Sequence, residues 1–136
     1  MTRRDSLASS ASSIRIKRAY EPPTRADGYR VLVDRLWPRG VSKEHLALGA
    51  WEKDLAPSDA LRRWFAHDPK RWDEFVTRYR EELRAPEASA LLDDLGRRAR
   101  AETVTLVYGA RDPEHNNAVV LRDELVRRSR TPARNR

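Results

Sequence analysis

Two stretches of the chain gather side chains that can do chemistry. In VLVDRLWPRG (residues 31–40), the apolar run Val31, Leu32, Val33 empties into Asp34, Arg35, Trp37 and Arg39. In VYGARDPEHNN (residues 107–117), a second apolar run gives way to Tyr108, Gly109, Arg111, Asp112, His115, Asn116 and Asn117. A carboxylate such as Asp34 and an imidazole such as His115 suit proton transfer. Arg35 and Arg39 suit a two-pronged grip on carboxylate or phosphate, with Pro38 and Gly40 shaping the turn around Arg39. Trp37 and Tyr108 offer apolar walls. Arg111, Asp112, Asn116 and Asn117 add polar contacts, and His67, in the tripeptide HDP (residues 67–69), is a further ligand-binding candidate.

Each residue also has a structural reading. Asp34 can accept an ion pair or cap a helix, and Arg35 and Arg39 can pair with Asp34 and Asp112. Trp37 can be core, Asp112 a helix cap, and His115 a local hydrogen-bonding group at a helix start. Asn116 and Asn117 fit capping as well as ligand contact, and HDP fits a loop that opens a helix. Other templates are missing: the chain has no GxGxxG, P-loop, HExxH or GxSxG pattern. His45, His67 and His115 show no diagnostic ligand spacing, so no metal ligands are assigned and the cofactor is unknown.

The elements that would position these residues follow from periodicity. Strands are expected at residues 14–20, 29–37 and 103–110, the last two nearly continuous apolar runs of the kind covered on both faces. Ser42 caps a short turn, and Ser58 caps a helix through residue 67. Asp68 and Pro69 open the clearest helix, with Trp72, Phe75, Val76, Tyr79 and Leu83 as its stripe. A further helix follows Pro86, and a last one over 111–128 turns Ala118, Val119, Leu121, Leu125 and Val126 inward. Short β-branched runs alternating with helices predict an α/β fold: a small three-layer domain, mainly parallel sheet, helices on both faces. In parallel strands the two odd stretches leave the sheet at one edge, where open α/β sheets bind ligands.

With 39% hydrophobic and 36% charged residues, the 136-residue chain is polar yet able to bury one core. The absence of cysteine excludes disulfides, zinc–thiolate sites and thiol catalysis. No apolar run suits a membrane span, and no apolar segment follows the basic N-terminus, so a cytoplasmic protein is expected. The net charge of +7 divides into +1 over residues 1–13, +5 over 127–136 and +1 between. Basicity therefore belongs to two tails expected to be disordered, 1–13 and 128–136, around a single domain at 14–127.

YRVLVDRLWPRG, HDP ahead of the Trp-rich helix, and ARDPEHNNAVVL together resemble the YeaO-like branch of the domain of unknown function 488 family, over roughly residues 14–127. The resemblance implies a small three-layer α/β bacterial protein with distinctive residues at its strand ends; it implies no activity. Some relatives carry Cys-His-Arg where this chain has His115-Asn116-Asn117, so a thiol-dependent role does not carry over. The leading expectation is a small anionic ligand, such as a nucleotide or modified base, bound and possibly processed at the strand ends. One alternative is a nucleic-acid or protein adaptor, the Arg-rich tails making weak non-specific contacts. Another is a metal or haem binder using His67 or His115.

Overall fold

The β-branched runs assemble side by side, as their alternation with helices predicts. A computed structural model describes residues 13–130. Among these residues, β1 (Ile14–Arg18), β2 (Tyr29–Leu32), β3 (Ala50–Trp51) and β4 (Val104–Tyr108) form one parallel sheet in the order β1-β4-β2-β3. The helices are α1 (Lys43–Leu46), α2 (Asp59–Phe65), α3 (Trp72–Glu82), α4 (Pro86–Ala99) and α5 (Asn117–Arg130). The strands are shorter than expected, and β3 was not anticipated, because two residues inside a long crossover carry no readable period. No helix among the described residues is long and apolar enough to cross a membrane.

Pleating sends alternate residues to opposite faces, and the two faces are built differently. Val31, Val33, Val104, Leu106 and Tyr108 meet Phe75, Tyr79, Leu92, Leu121 and Leu125 of α3, α4 and α5 in the main core. Leu32 and Val107 pack on the opposite side with Ala19, and Leu46 of α1. The run Val31-Leu32-Val33 is thus fully buried on both sides, although loops and a single helical turn cover the second face. In α5, Val120 is buried rather than Val119, and the helix begins at Asn117, not at residue 111.

Parallel register places Arg15, Thr105 and Arg30 side by side on that second face, with Lys17 next along β1. Three cations in one patch require an anion, and Asp27 supplies it. Its carboxylate, wholly buried, accepts from Arg30 Nη1 at 2.8 Å, Lys17 Nζ at 3.0 Å and the Thr24 amide at 2.9 Å. Thr105 Oγ1 donates to the Asp27 carbonyl at 2.7 Å. The next residue, Gly28, has φ 63°, and a Cβ there would lie 2.2 Å from the Thr103 carbonyl oxygen. Only glycine fits that return of the chain onto β4.

At the other end, α5 passes the domain boundary expected after residue 127. Arg127 and Arg128 fold back on Glu124 at 2.8 and 3.2 Å, and Arg128 reaches Asp93 of α4 at 2.9 Å. Two cations assigned by charge counting to a basic terminus are therefore engaged by the domain. Residues 1–12 and 131–136, on which the rest of the tail expectation falls, lie outside the described residues.

Removing the shared anion leaves buried cations unpaired. Asp27→Ala is expected to lower the unfolding free energy in urea by about 3–5 kcal/mol. Burial opposes ionisation of Asp27, but the Thr24 amide, Lys17, the Thr24 hydroxyl and Arg30 outweigh it and hold the pKa to about 2, against an ordinary 3.8. A depressed carboxyl pKa stabilises the fold above the ordinary value and loses that effect on acidification. The gap between wild type and Asp27→Ala should be constant above pH 5 and narrow from about pH 4 toward pH 2.

Candidate functional site

Because β2 and β4 are neighbours in parallel register, Leu32 beside Val107, both chains leave the sheet at one edge. The Val33 amide still bonds the Val107 carbonyl at 3.1 Å, and the next side chain, Asp34, ties the exits together. Its Oδ2 accepts from the Gly109 amide at 2.8 Å, and its Oδ1 from Asn117 Nδ2 at 3.1 Å. Asn117 Nδ2 also donates to the Val33 carbonyl at 2.9 Å, and Trp51 Nε1 to the Asp34 carbonyl at 2.7 Å. One residue thus joins β2, β4, β3 and the first turn of α5. A Cβ on Gly109 would sit 3.2 Å from Asp34 Oδ2, so glycine allows this close approach. Burial pushes the Asp34 carboxyl above its ordinary pKa, opposed by the Gly109 amide, the Asn117 amide and His67.

Beyond this edge lies a cavity of about 290 Å³. The β2 exit contributes Asp34, Arg35 and Trp37; the β4 exit contributes His115, Asn116 and Asn117; and His67 enters from the loop after α2. Trp37 is also held as structure, its Nε1 donating to the Val41 carbonyl at 2.7 Å and its ring meeting Trp51 edge-on. The pocket's wall and packing readings of Trp37 therefore coincide.

Arg39, Tyr108, Arg111 and Asp112 do not line the cavity. Arg39 is exposed, and its carbonyl accepts from the Tyr20 hydroxyl at 3.0 Å. Tyr108 points into the main core, because the pleat that aims Leu106 there aims Tyr108 there too; burial pushes its hydroxyl pKa up. Arg111 is exposed. Asp112 acts on the site through His115: its Oδ2 lies 2.9 Å from His115 Nδ1, while Oδ1 accepts the Glu114 and His115 amides at 2.8 and 3.2 Å. Those bonds, the Glu114 amide foremost and the His115 side chain next, hold the Asp112 carboxyl below the usual range. Trp72 meets the His115 ring edge-on at 5.2 Å. Asn116 is spent internally, donating to the Asp112 carbonyl at 2.8 Å and accepting from the Val119 amide at 3.1 Å.

Arg62 is the charged cavity residue that the sequence reading missed. It lies inside a helix whose only readable feature is its Ser58 cap, and nothing local tells that α2 stands over the strand ends. Long-range bonds put it there. Glu82, at the end of α3, accepts from the Ser58 amide at 2.8 Å and its hydroxyl at 2.6 Å. The buried Tyr79 hydroxyl donates to the Leu55 carbonyl just upstream. Burial raises the Tyr79 pKa well above its ordinary value, with the Asp34 and Glu82 charges acting the same way. Helix α2 then ends at Ala66 and His67, both left-handed at φ 48° and 57°, a conformation that costs about 1–2 kcal/mol per non-glycine residue. Among the described residues, no three His, Asp or Glu side chains cluster as metal ligands.

Chemically, the cavity holds donors with little left to accept them. Both Asp34 oxygens are taken by protein N–H groups, whereas Arg35, Arg62 and two imidazoles share its surface. Asp34→Ala should strand the Gly109 and Asn117 donors and cost about 1–3 kcal/mol in thermal or urea unfolding. Ala66→Gly should relieve a left-handed Cβ and raise stability by about 0.5–1 kcal/mol in the same assay.

Comparison with known proteins places the chain. Residues 13–135 match the family model described as "Inactive DUF488-N3 subclade". An uncharacterised protein of Mycobacterium tuberculosis is 44% identical over 108 residues, covering 79% of this chain and 89% of that protein. The uncharacterised protein YeaO of Escherichia coli is 41% identical over 114 residues, covering 83% of this chain and 96% of its own length. No solved structure matches. On a match spanning nearly all of the described domain, the chain belongs to the YeaO-like branch of the domain of unknown function 488 family.

Proposed function

We propose that this protein binds a small anionic molecule in the strand-end cavity and holds it without transforming it. The observation that carries the reading is the division of labour at the cavity: Arg35 and Arg62 face it while Asp34 is consumed as a brace. Trp37, Pro38, Pro57 and Phe65 supply an apolar wall, the usual company of a few placed polar groups in a ligand pocket. A volume of about 290 Å³ is at the lower end for small-molecule sites. That size favours a phosphorylated or carboxylated metabolite, or a mononucleotide, over a dinucleotide or polymer. The word "inactive" in the description of the matching subclade supports retention over turnover.

Calorimetry against inorganic phosphate, pyrophosphate and adenosine monophosphate tests this. Arg62→Ala and Arg35→Ala should each weaken binding about ten-fold or more, in line with loss of a charge-assisted bond. Arg39→Ala, outside the cavity, should leave affinity unchanged. Equal affinity in wild type and both cavity variants would refute the reading.

A second reading, proton transfer by His115, draws on the 2.9 Å contact that orients its ring through Asp112. The two part on one measurement. Under the binding reading, a bound ligand is recovered chemically unchanged after prolonged incubation. Conversion that disappears in His115→Ala would favour the second.

A further inference from the structure

Between the two cavity arginines sits an acid that sequence and family resemblance left unremarked. Asp59, the first residue of α2, presents Oδ1 at 3.3 Å from Arg62 Nη2 and 3.7 Å from Arg35 Nε. Neither is a good bond: the first is long for a charge-assisted pair, and the second is beyond hydrogen-bond range. Arg35 Nε is buried and makes no hydrogen bond at all. A buried N–H without an acceptor is costly, and the same arginine lines the cavity. Asp59 itself does not line the cavity and its side chain is half exposed. It has solvent to turn into.

We infer that Asp59 is a built-in counter-ion, displaced when the phosphoryl group of a phosphate monoester settles between Arg35 and Arg62. The inference rests on the binding function proposed above and adds the ligand's head group and the means by which the site is held until it arrives. Geometry decides the head group. The two guanidinium groups come from different elements, the β2 exit and α2, and converge on one point. Asp59, tethered to α2, reaches both arginines with the single oxygen Oδ1 and serves both donors poorly. A tetrahedral phosphoryl group offers three oxygens in different directions, so each arginine can have its own. Charge points the same way, since a dianion outcompetes the monoanionic Asp59 for two cations.

The test is calorimetric titration of the full chain with inorganic phosphate and adenosine monophosphate, alongside acetate as the carboxylate probe. Asp59→Asn and Asp59→Ser should both tighten phosphate and adenosine monophosphate by about three- to ten-fold, the scale of a released exposed ion pair. Glu87→Gln, which removes the same charge from an exposed position of α4 outside the cavity, should not. Melting curves confirm that each variant is folded. Arginine-dependent binding by the wild type that is unchanged or weaker in both Asp59 variants, or equally tightened by Glu87→Gln, overturns the exchange and leaves the binding function standing. Acetate binding as tightly as phosphate overturns the phosphoryl assignment. No binding by wild type or variants removes both readings together.

Discussion

The architecture of the strand-end site depends on one carboxylate. Parallel strands bring two chain exits to the same edge, but nothing in a backbone ladder keeps those exits together once pairing stops. Asp34 does so. Its two oxygens reach the Gly109 amide and the Asn117 side chain, so β2, β4 and the start of α5 are held at fixed spacing. The same commitment costs the cavity its acid. Burial raises the Asp34 pKa, but both of its oxygens already accept protein N–H bonds, so the carboxylate serves as a brace. What remains facing the cavity is Arg35, Arg62, two imidazoles and neutral side chains, the feature on which the proposed anion-binding reading rests.

The two sheet faces divide the remaining work. On the helical face, packing is apolar and insensitive to sign of charge. On the other, β1 and β2 place Arg15, Lys17 and Arg30 around the buried Asp27. Such a cluster fixes register, because a slip of one residue would carry the cations to the helical face and leave the anion alone. Register in turn sets which residues of β2 and β4 fall at the edge. The polar cluster under the sheet therefore governs the geometry of the cavity beyond it, without touching it.

Much of this was legible in the sequence. The apolar runs, the Ser58 cap and the switch from apolar to charged residues at Asp34 and after Val107 are local signals, and they located the sheet and the edge at which the cavity lies. Cavity membership was legible for residues adjacent to those exits and for His67, singled out by its place in HDP. Tyr108 was misplaced because strand alternation continues one residue longer than the change in composition suggests. Arg39 was misplaced because the turn at Pro38 carries the chain away from the edge. Arg62 and Asp59 gave no signal, since their position depends on Glu82 and Tyr79 gripping the segment ahead of α2. Contacts across more than 20 residues, made by a glutamate at the end of one helix with the cap of another, have no period to read.

Two buried arginine nitrogens lack hydrogen-bond partners, Arg30 Nη2 and Arg35 Nε, and they have different meanings. Arg30 is enclosed under the sheet, where its other nitrogens already bond Asp27 and the Leu46 carbonyl. It is not among the residues lining the strand-end cavity, and its orphan atom is a local cost of burying a five-donor side chain in a cluster organised around one carboxylate. Arg35 is on the cavity wall, its nearest anion is too far to bond, and His67, left-handed like Ala66 before it, lines the same cavity. Unmet bonding and backbone strain coincide there. A fold tolerates such costs where a ligand can offset them, and the strand-end cavity is the place in the described domain where both are incurred together.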